Sequence, residues 1–303
     1  MATRKTKKEN ISTRSGYVAI IGRPNVGKST LLNSFLGKKL SITSRKPQTT
    51  RHRILGVKTT GQSQLIFVDT PGLHINENKP MNKYLNKSAL SVLSEVDCVL
   101  WLLDATQWNE NDEWVAQKLT HCKAEILLVI NKIDKLERAD DVIPLVEAMS
   151  KKLPNLVIIP VSAKKQFNLN RLQQLIEERL TQGPFYFGED QVTDRPEVFV
   201  AAEFIREKVV RFLGDELPYA TMVSIKQFKR DGKLLRIEAI IWVEKDSQKG
   251  IVIGRNGEML KKIGQKSRLA MEKYFGQKIF LQTWVKVKDH WTEDEDLLRE
   301  ALT

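Results

Sequence analysis

Gly22-Arg23-Pro24-Asn25-Val26-Gly27-Lys28-Ser29, with Thr30 directly after it, fits the pattern G-x-x-x-x-G-K-[ST]. The apolar run Tyr17 to Ile21 before it reads as a strand, and Thr30 to Leu36 after it has the spacing of a helix that packs back on a sheet. That context turns a Gly-Pro turn into a phosphate-binding loop. Its glycines let the backbone N–H groups and the helix N-terminus face an anion. Lys28 adds a cation there, and the Ser29 hydroxyl suits Mg²⁺.

Further motifs follow along the chain. Lys38 to Arg53 is polar, contains Pro47-Gln-Thr-Thr-Arg51, and reads as a surface loop. Strands at Arg53–Lys58 and Gln64–Val68 then flank a turn at 59–62, and the second ends in Asp69-Thr70-Pro71-Gly72. Alone, this tetrapeptide is a good turn. After an apolar strand downstream of the phosphate loop, Asp69 suits the Mg²⁺ shell and the Gly72 N–H suits a γ-phosphate. The segment from Leu73 to Lys83 reads as one that changes order when that phosphate leaves. Helical spacing over Met81–Val96 leads to a strand at Asp97–Asp104, and a helix is expected over Asn111–Cys122.

Glu125 to Ile130 is an apolar strand running into Asn131-Lys132-Ile133-Asp134. The Asp134 carboxylate can accept two hydrogen bonds from the N1–H and N2–H₂ edge of guanine, Asn131 can bond the N7 side, and the Lys132 stem can lie on the ring. Adenine lacks that donor pair and would leave the carboxylate unsatisfied. Another strand, Leu156–Val161, ends in Ser162-Ala163-Lys164, where the Ala163 N–H can meet guanine O6.

These four motifs, each at the carboxyl end of an expected strand, resemble the translation-factor-related class of small GTPases. The resemblance implies Thr50 as the switch threonine on Mg²⁺, with Thr49 beside it as the alternative. Leu73 stands where Ras-like enzymes carry a water-orienting glutamine, so intrinsic hydrolysis is expected to be slow. Asn25 resembles the asparagine with which some of these GTPases hold an activating K⁺ ion. Lys28, Thr50, Gly72 and Asn25 are thus the expected catalytic set, and Ser29, Thr50 and Asp69 the metal set.

After a Pro/Gly-punctuated connection, Glu197 to Leu213 has a helical apolar stripe. Strands at Ala220–Phe228 and Leu234–Val243 flank the turn signal Asp231-Gly232. A short helix breaks at Gly254-Arg255-Asn256-Gly257, a longer one covers Glu258–Phe275, and a last strand covers Lys278–Val287. A Gly-x-x-Gly turn between helices in an αββααβ order resembles a type II KH domain, whose loop grips single-stranded RNA. Ile251, Ile253 and Leu260 would line its groove. Arg255, Lys261 and Lys262 would supply charge, and residues 254–278 carry seven Lys and Arg against two Glu.

The whole pattern resembles the Era family of bacterial GTPases, within the TrmE–Era–EngA-like superfamily. It implies an α/β P-loop domain with a mostly parallel six-stranded sheet and helices on both faces, then a smaller α+β KH domain. The expected division is a basic tail at 1–15, the GTPase domain at 16–181, a linker at 182–196, the KH domain at 197–288 and an acidic tail at 289–303. The resemblance further implies binding of small-subunit (16S) rRNA near its 3′ end, action on the assembling 30S subunit, GTP or GDP with Mg²⁺, and a monomer. It also implies a cytoplasmic protein loosely associated with the inner face of the membrane.

Composition agrees with that outline. The 303 residues allow two domains, and a net charge of +12 suits a polyanionic partner. Two cysteines without CxxC spacing indicate neither a disulfide framework nor a zinc site, and no apolar run approaches the roughly 20 residues of a membrane span. Two other readings stay open on sequence: an RNA-binding assembly chaperone with little turnover, and a GTPase whose second domain contacts protein or membrane.

Overall fold

The computed structural model describes residues 13–43, 53–75, 80–214, 217 and 221–289. Thr49, Thr50, the first twelve residues and the acidic end beyond 289 lie outside the described residues. The first unit alternates strand and helix: β1 (Arg14–Ile21), α1 (Lys28–Leu36), β2 (Ile54–Thr60), β3 (Ser63–Asp69), α2 (Pro80–Ser91), β4 (Cys98–Asp104) and α3 (Glu110–Leu119). It continues with β5 (Glu125–Asn131), α4 (Val142–Lys152), β6 (Val157–Pro160) and α5 (Leu169–Glu177). The sheet order is β2-β3-β1-β4-β5-β6, with only β2 antiparallel to its neighbour.

Both faces of this sheet are covered, which explains why its central strands are continuously apolar. Along β1, Val18 and Ile20 join Leu31, Phe35 and Leu172 in the core under α1 and α5. Ala19 and Ile21 join Trp101, Val115 and Met149 on the other side, under α3 and α4. Successive side chains thereby fill two separate cores.

The second unit consists of α6 (Glu197–Phe212), β7 (Met222–Asp231), β8 (Leu234–Val243), α7 (Asp246–Ile253), α8 (Glu258–Phe275) and β9 (Lys278–Val287). Its sheet order is β7-β8-β9, antiparallel between the first two and parallel between the last two. Ile237, Ile241, Val252, Ile263 and Val285 meet α6 through Ile205 and Val209 in one core.

Several boundaries depart from the sequence reading. β1 begins at Arg14, inside the stretch read as tail, because Arg14 pairs with Ser63 and its N–H reaches the Gln62 carbonyl at 2.8 Å. Helix α4 is an element the sequence reading did not anticipate. The stretch expected as a free linker is packed on the first domain. Val57 N–H donates to Val192 O at 2.8 Å, Gly56 bridges Thr193, and the Gln64 side chain binds the backbone of Tyr186 and Phe187.

Candidate nucleotide site and nucleic-acid interface

The loop between β1 and α1 is shaped by backbone that only particular residues tolerate. Gly22 has φ 154° and Gly27 has φ 104°. A Cβ on Gly22 would lie 2.6 Å from the Leu102 carbonyl oxygen, and one on Gly27 would lie 2.3 Å from Asn131 Nδ2. Both positions therefore require glycine. Asn25 sits at the exposed crest with φ 65°. The Lys28 ammonium is buried and donates to the carbonyls of Gly22 and Arg23 at 3.0 Å each, curling the loop around itself. Burial pushes Lys28 down to about 8, against the pull of Asp69 and with help from Arg23 and Lys132.

Arg23 turns away from that concavity. Its Nε donates to both carboxylate oxygens of buried Asp112 at 3.1 and 3.0 Å, and its Nη2 reaches the Gln107 carbonyl. Burial raises the Asp112 carboxyl above its ordinary range even against the Arg23 charge. Removing one member of such a buried pair costs about 3–5 kcal/mol. Arg23 thus anchors the loop to the start of α3, and only its backbone faces a ligand.

At the end of β3, Asp69 Oδ2 accepts hydrogen bonds from Ser29 Oγ at 3.0 Å and Ser41 Oγ at 2.6 Å. This cluster of hard oxygens suits Mg²⁺, which takes few protein ligands beside phosphate and water. Among the described residues no group of three or more His, Cys, Asp or Glu could hold a metal ion. Thr70 bonds its hydroxyl to the Ile20 carbonyl at 2.8 Å. A Cβ on Gly72 would lie 2.9 Å from Pro24 N, so this loop, Pro71 included, lies against the phosphate loop. Leu73 is fully buried in the core, and its N–H donates to the Gly22 carbonyl at 3.2 Å. The side chain where other GTPases orient water thus faces the protein interior. Next to it, burial and then the charge of Lys28 push the His74 imidazole down to about 4, leaving it neutral at pH 7.

The base-reading motifs converge at the ends of β5 and β6. Asp134 is exposed and accepts from Ser162 Oγ at 2.5 Å, which orients its carboxylate. Lys132 lies along the phosphate loop, donating to the Asn25 carbonyl and to Asp104 Oδ2 at 2.6 Å. Burial disfavours the Asp104 charge, but the bonds from Lys132 and Thr106 outweigh it and hold the carboxyl below its ordinary range. Asn131 is bonded within the protein on both sides of its amide. Its Nδ2 donates to the Val26 carbonyl at 2.8 Å, and its Oδ1 accepts the Ala163 N–H at 3.0 Å. In this geometry that N–H and the Asn131 amide brace two loops together, while Lys164 is exposed at the rim.

In the second unit, α7 ends at Gly254, with φ 74°, and α8 starts after Gly257, with φ 79°. A Cβ on Gly254 would lie 2.7 Å from Met259 Cβ, whereas one on Gly257 would meet open space. Beside this loop a groove of about 410 Å³ is lined by Gly257, Leu260, Lys261, Gly264, Gln265, Arg268, Leu281 and Thr283. The sequence reading reached only the loop end of it, because Leu281 and Thr283 come from β9 across the fold. Arg255 and Asn256 are exposed on the loop, Ile251 is 53% exposed and Ile253 half-buried. The Lys262 ammonium lies over the Phe212 ring of α6, 4.7 Å from the centroid, whereas Lys261 lines the groove.

Comparison with known proteins agrees with both halves. Residues 17–132 match a family described as a 50S ribosome-binding GTPase, and residues 216–292 match the KH domain family. GTPase Era of Ectopseudomonas mendocina is 51% identical over 95% of this chain and 96% of its own. GTPase Era of Coxiella burnetii is 51% identical over 95% and 97%. A solved Era in complex with MgGDPNP and nucleotides 1506–1542 of 16S ribosomal RNA superposes with a TM-score of 0.91 at 39% identity, covering 95% of this chain and 98% of that one. A single-residue variant of Aquifex aeolicus Era bound to GDP·AlF₄⁻ gives the same score and identity, covering 95% and 99%. The chain, a P-loop GTPase domain followed by a KH domain, belongs to the Era family of GTPases.

Proposed function

We propose that the chain is a GTP-driven switch that binds 16S rRNA near its 3′ end through the KH groove and acts in assembly of the small ribosomal subunit. The observation carrying this is the cationic groove at Gly254–Gly257 joined, in one chain, to a GTPase site. A relative of the same architecture holds a 16S rRNA fragment and MgGDPNP. Here Ser29, Asp69 and Thr50 hold Mg²⁺ with the nucleotide, and Asp134 reads guanine. Among the described residues no helix is long and apolar enough to cross a membrane, so any membrane association through them would be peripheral.

Gly257→Asp is expected to abolish RNA binding while leaving GTP affinity within about twofold, as Asp tolerates the left-handed backbone and meets open space. Retained binding of a single-stranded RNA in a filter assay would refute the clamp. Asp134→Asn should trade GTP for xanthosine triphosphate by a factor of about 100 or more, since the amide reverses donor and acceptor. A competition assay reads this directly.

A direct connection supports coupling between nucleotide and RNA. Ser41, which donates to the metal carboxylate, lies in the segment whose Lys39 Nζ binds both oxygens of Glu207 on α6 at 2.6 and 2.5 Å. Leu40 between them is buried in the KH core. With Mg²⁺ on Asp69, Ser41 would lose this acceptor, which loosens one of the bonds on the segment while Asn33 of α1 keeps its hold on the Leu40 and Ser41 backbone, so the pull on α6 would change. Lys39→Met should therefore reduce the ratio of RNA affinities between the GTP-analogue and GDP states at least threefold, roughly 0.6 kcal/mol of coupling. An unchanged ratio would exclude this route. With Leu73 turned inward, a K⁺ ion held at Asn25 would supply the charge that an orienting glutamine or arginine does not provide here. The turnover rate is expected to rise about tenfold or more from Na⁺ to K⁺ buffer of equal ionic strength in the parent, and to be equal in both buffers for Asn25→Ala.

A further inference from the structure

The KH sheet is covered by helices on one face only. Along β8, Leu235, Ile237, Ala239, Ile241 and Val243 enter the core, which places Arg236, Glu238, Ile240 and Trp242 on the other face. Register then sets Arg236 against Phe280, Ile240 against Trp284 and Trp242 against Lys286 on β9. This face alternates aromatic rings with cations that lie over them. Lys226 Nζ is 5.7 Å from the Trp284 centroid, the Arg236 guanidinium 5.5 Å from Phe280, and Lys286 Nζ 6.0 Å from Trp242. The Trp242 ring is itself fixed by its N–H, which donates to Ser224 Oγ at 2.8 Å.

Such an array is more than a solvated charge run. Rings that hold long cationic side chains over an open sheet lower the entropy lost when those cations meet an anion. Phe280 remains 47% exposed, which leaves ring surface for a base to stack on once Arg236 turns to a phosphate. Glu238 and Asp231 contact Lys226 and Arg236 at 3.4 and 3.2 Å, and Lys278 reaches Glu272 of α8 at 3.9 Å, yet Lys229 and Lys286 leave the face net positive. The face is also continuous with the groove, because the edge strand β9 borders both. Leu281 and Thr283 line the groove, while Phe280 and Trp284 point to the open side.

We propose that this open face is a second RNA-binding surface, which takes the phosphate backbone of the single strand after it leaves the groove around the edge of β9. The inference rests on the KH groove being an RNA site. The chemistry is that of a phosphodiester chain on pre-positioned cations, with sequence-tolerant stacking on Phe280.

The test compares unstructured RNAs of about 6 and about 30 nucleotides by fluorescence anisotropy over a range of salt, spanning one site and more than one. The variant Lys226→Gln/Arg236→Gln/Lys286→Gln changes exposed side chains only. It should lower the salt slope for the long RNA by about 2, and its affinity about tenfold or more near 0.1 M salt, while the short RNA binds as before. An unchanged slope for the long RNA overturns the proposal. A failure of the groove reading is distinct, since it leaves the short RNA bound to Gly257→Asp. A benzophenone side chain placed at position 280 should crosslink to the long RNA. Crosslinking instead to the acidic residues 290–303 would assign the face to the chain's own end and also overturn the proposal.

Discussion

A single buried amide holds the nucleotide site together. Asn131 is 2% exposed, and its two polar atoms tie the phosphate loop at Val26 to the loop after β6 at Ala163. Ser34 Oγ of α1 adds a second tie by donating to the Ala163 carbonyl at 2.7 Å, but Asn131 is the side chain that bonds both loops. The fit leaves no slack, since Gly27 stands where any Cβ would strike the Asn131 nitrogen. Lost on either side, the bond would leave a buried donor or acceptor unsatisfied, which costs about 1–3 kcal/mol. The positions of the phosphate loop and of the loop after β6 are therefore tied by one group.

Around that brace, charges are held in place by neighbours from distant parts of the chain. Asp104 steadies Lys132, Asp112 anchors Arg23, and Ser29 and Ser41 share one oxygen of Asp69. Each of these polar groups around the nucleotide site is thus supported from behind, which is how a preorganised site avoids rearranging when charge arrives. Ser41 is the exception in kind. Its backbone is held by Asn33 of α1, and two residues earlier Lys39 reaches the buried Glu207, so the Asp69 cluster and the KH helix share one short stretch of backbone.

The fold and the motifs were legible because backbone chemistry dictates their residues. A loop with φ 154° and 104° needs glycine, and strands buried on both faces need unbroken apolar runs such as Ile126–Ile130. What sequence could not supply were contacts between residues far apart. Arg23 and Asp112 are separated by 89 positions and no local pattern links them. Lys261 and Lys262 look equivalent in sequence, yet helix phase sends one to the groove and the other to Phe212. Helix α4 lacks the buried stripe of its neighbours, with Ile143 left 52% exposed and Met149 its buried side chain.

The two sheets treat their edges differently. In the GTPase sheet, β2 would present bare N–H and C=O groups to solvent, but the connection at Val192 and Thr193 bonds to it and caps it. In the KH sheet, β9 carries no further strand among the described residues. An uncapped strand invites pairing with another copy of itself, and charged residues at Lys278 and Lys286 oppose that through mutual repulsion. The cations that guard this edge against self-association are also of the sign that attracts a polyanion. Resistance to self-association and attraction for a polyanion therefore come from the same side chains.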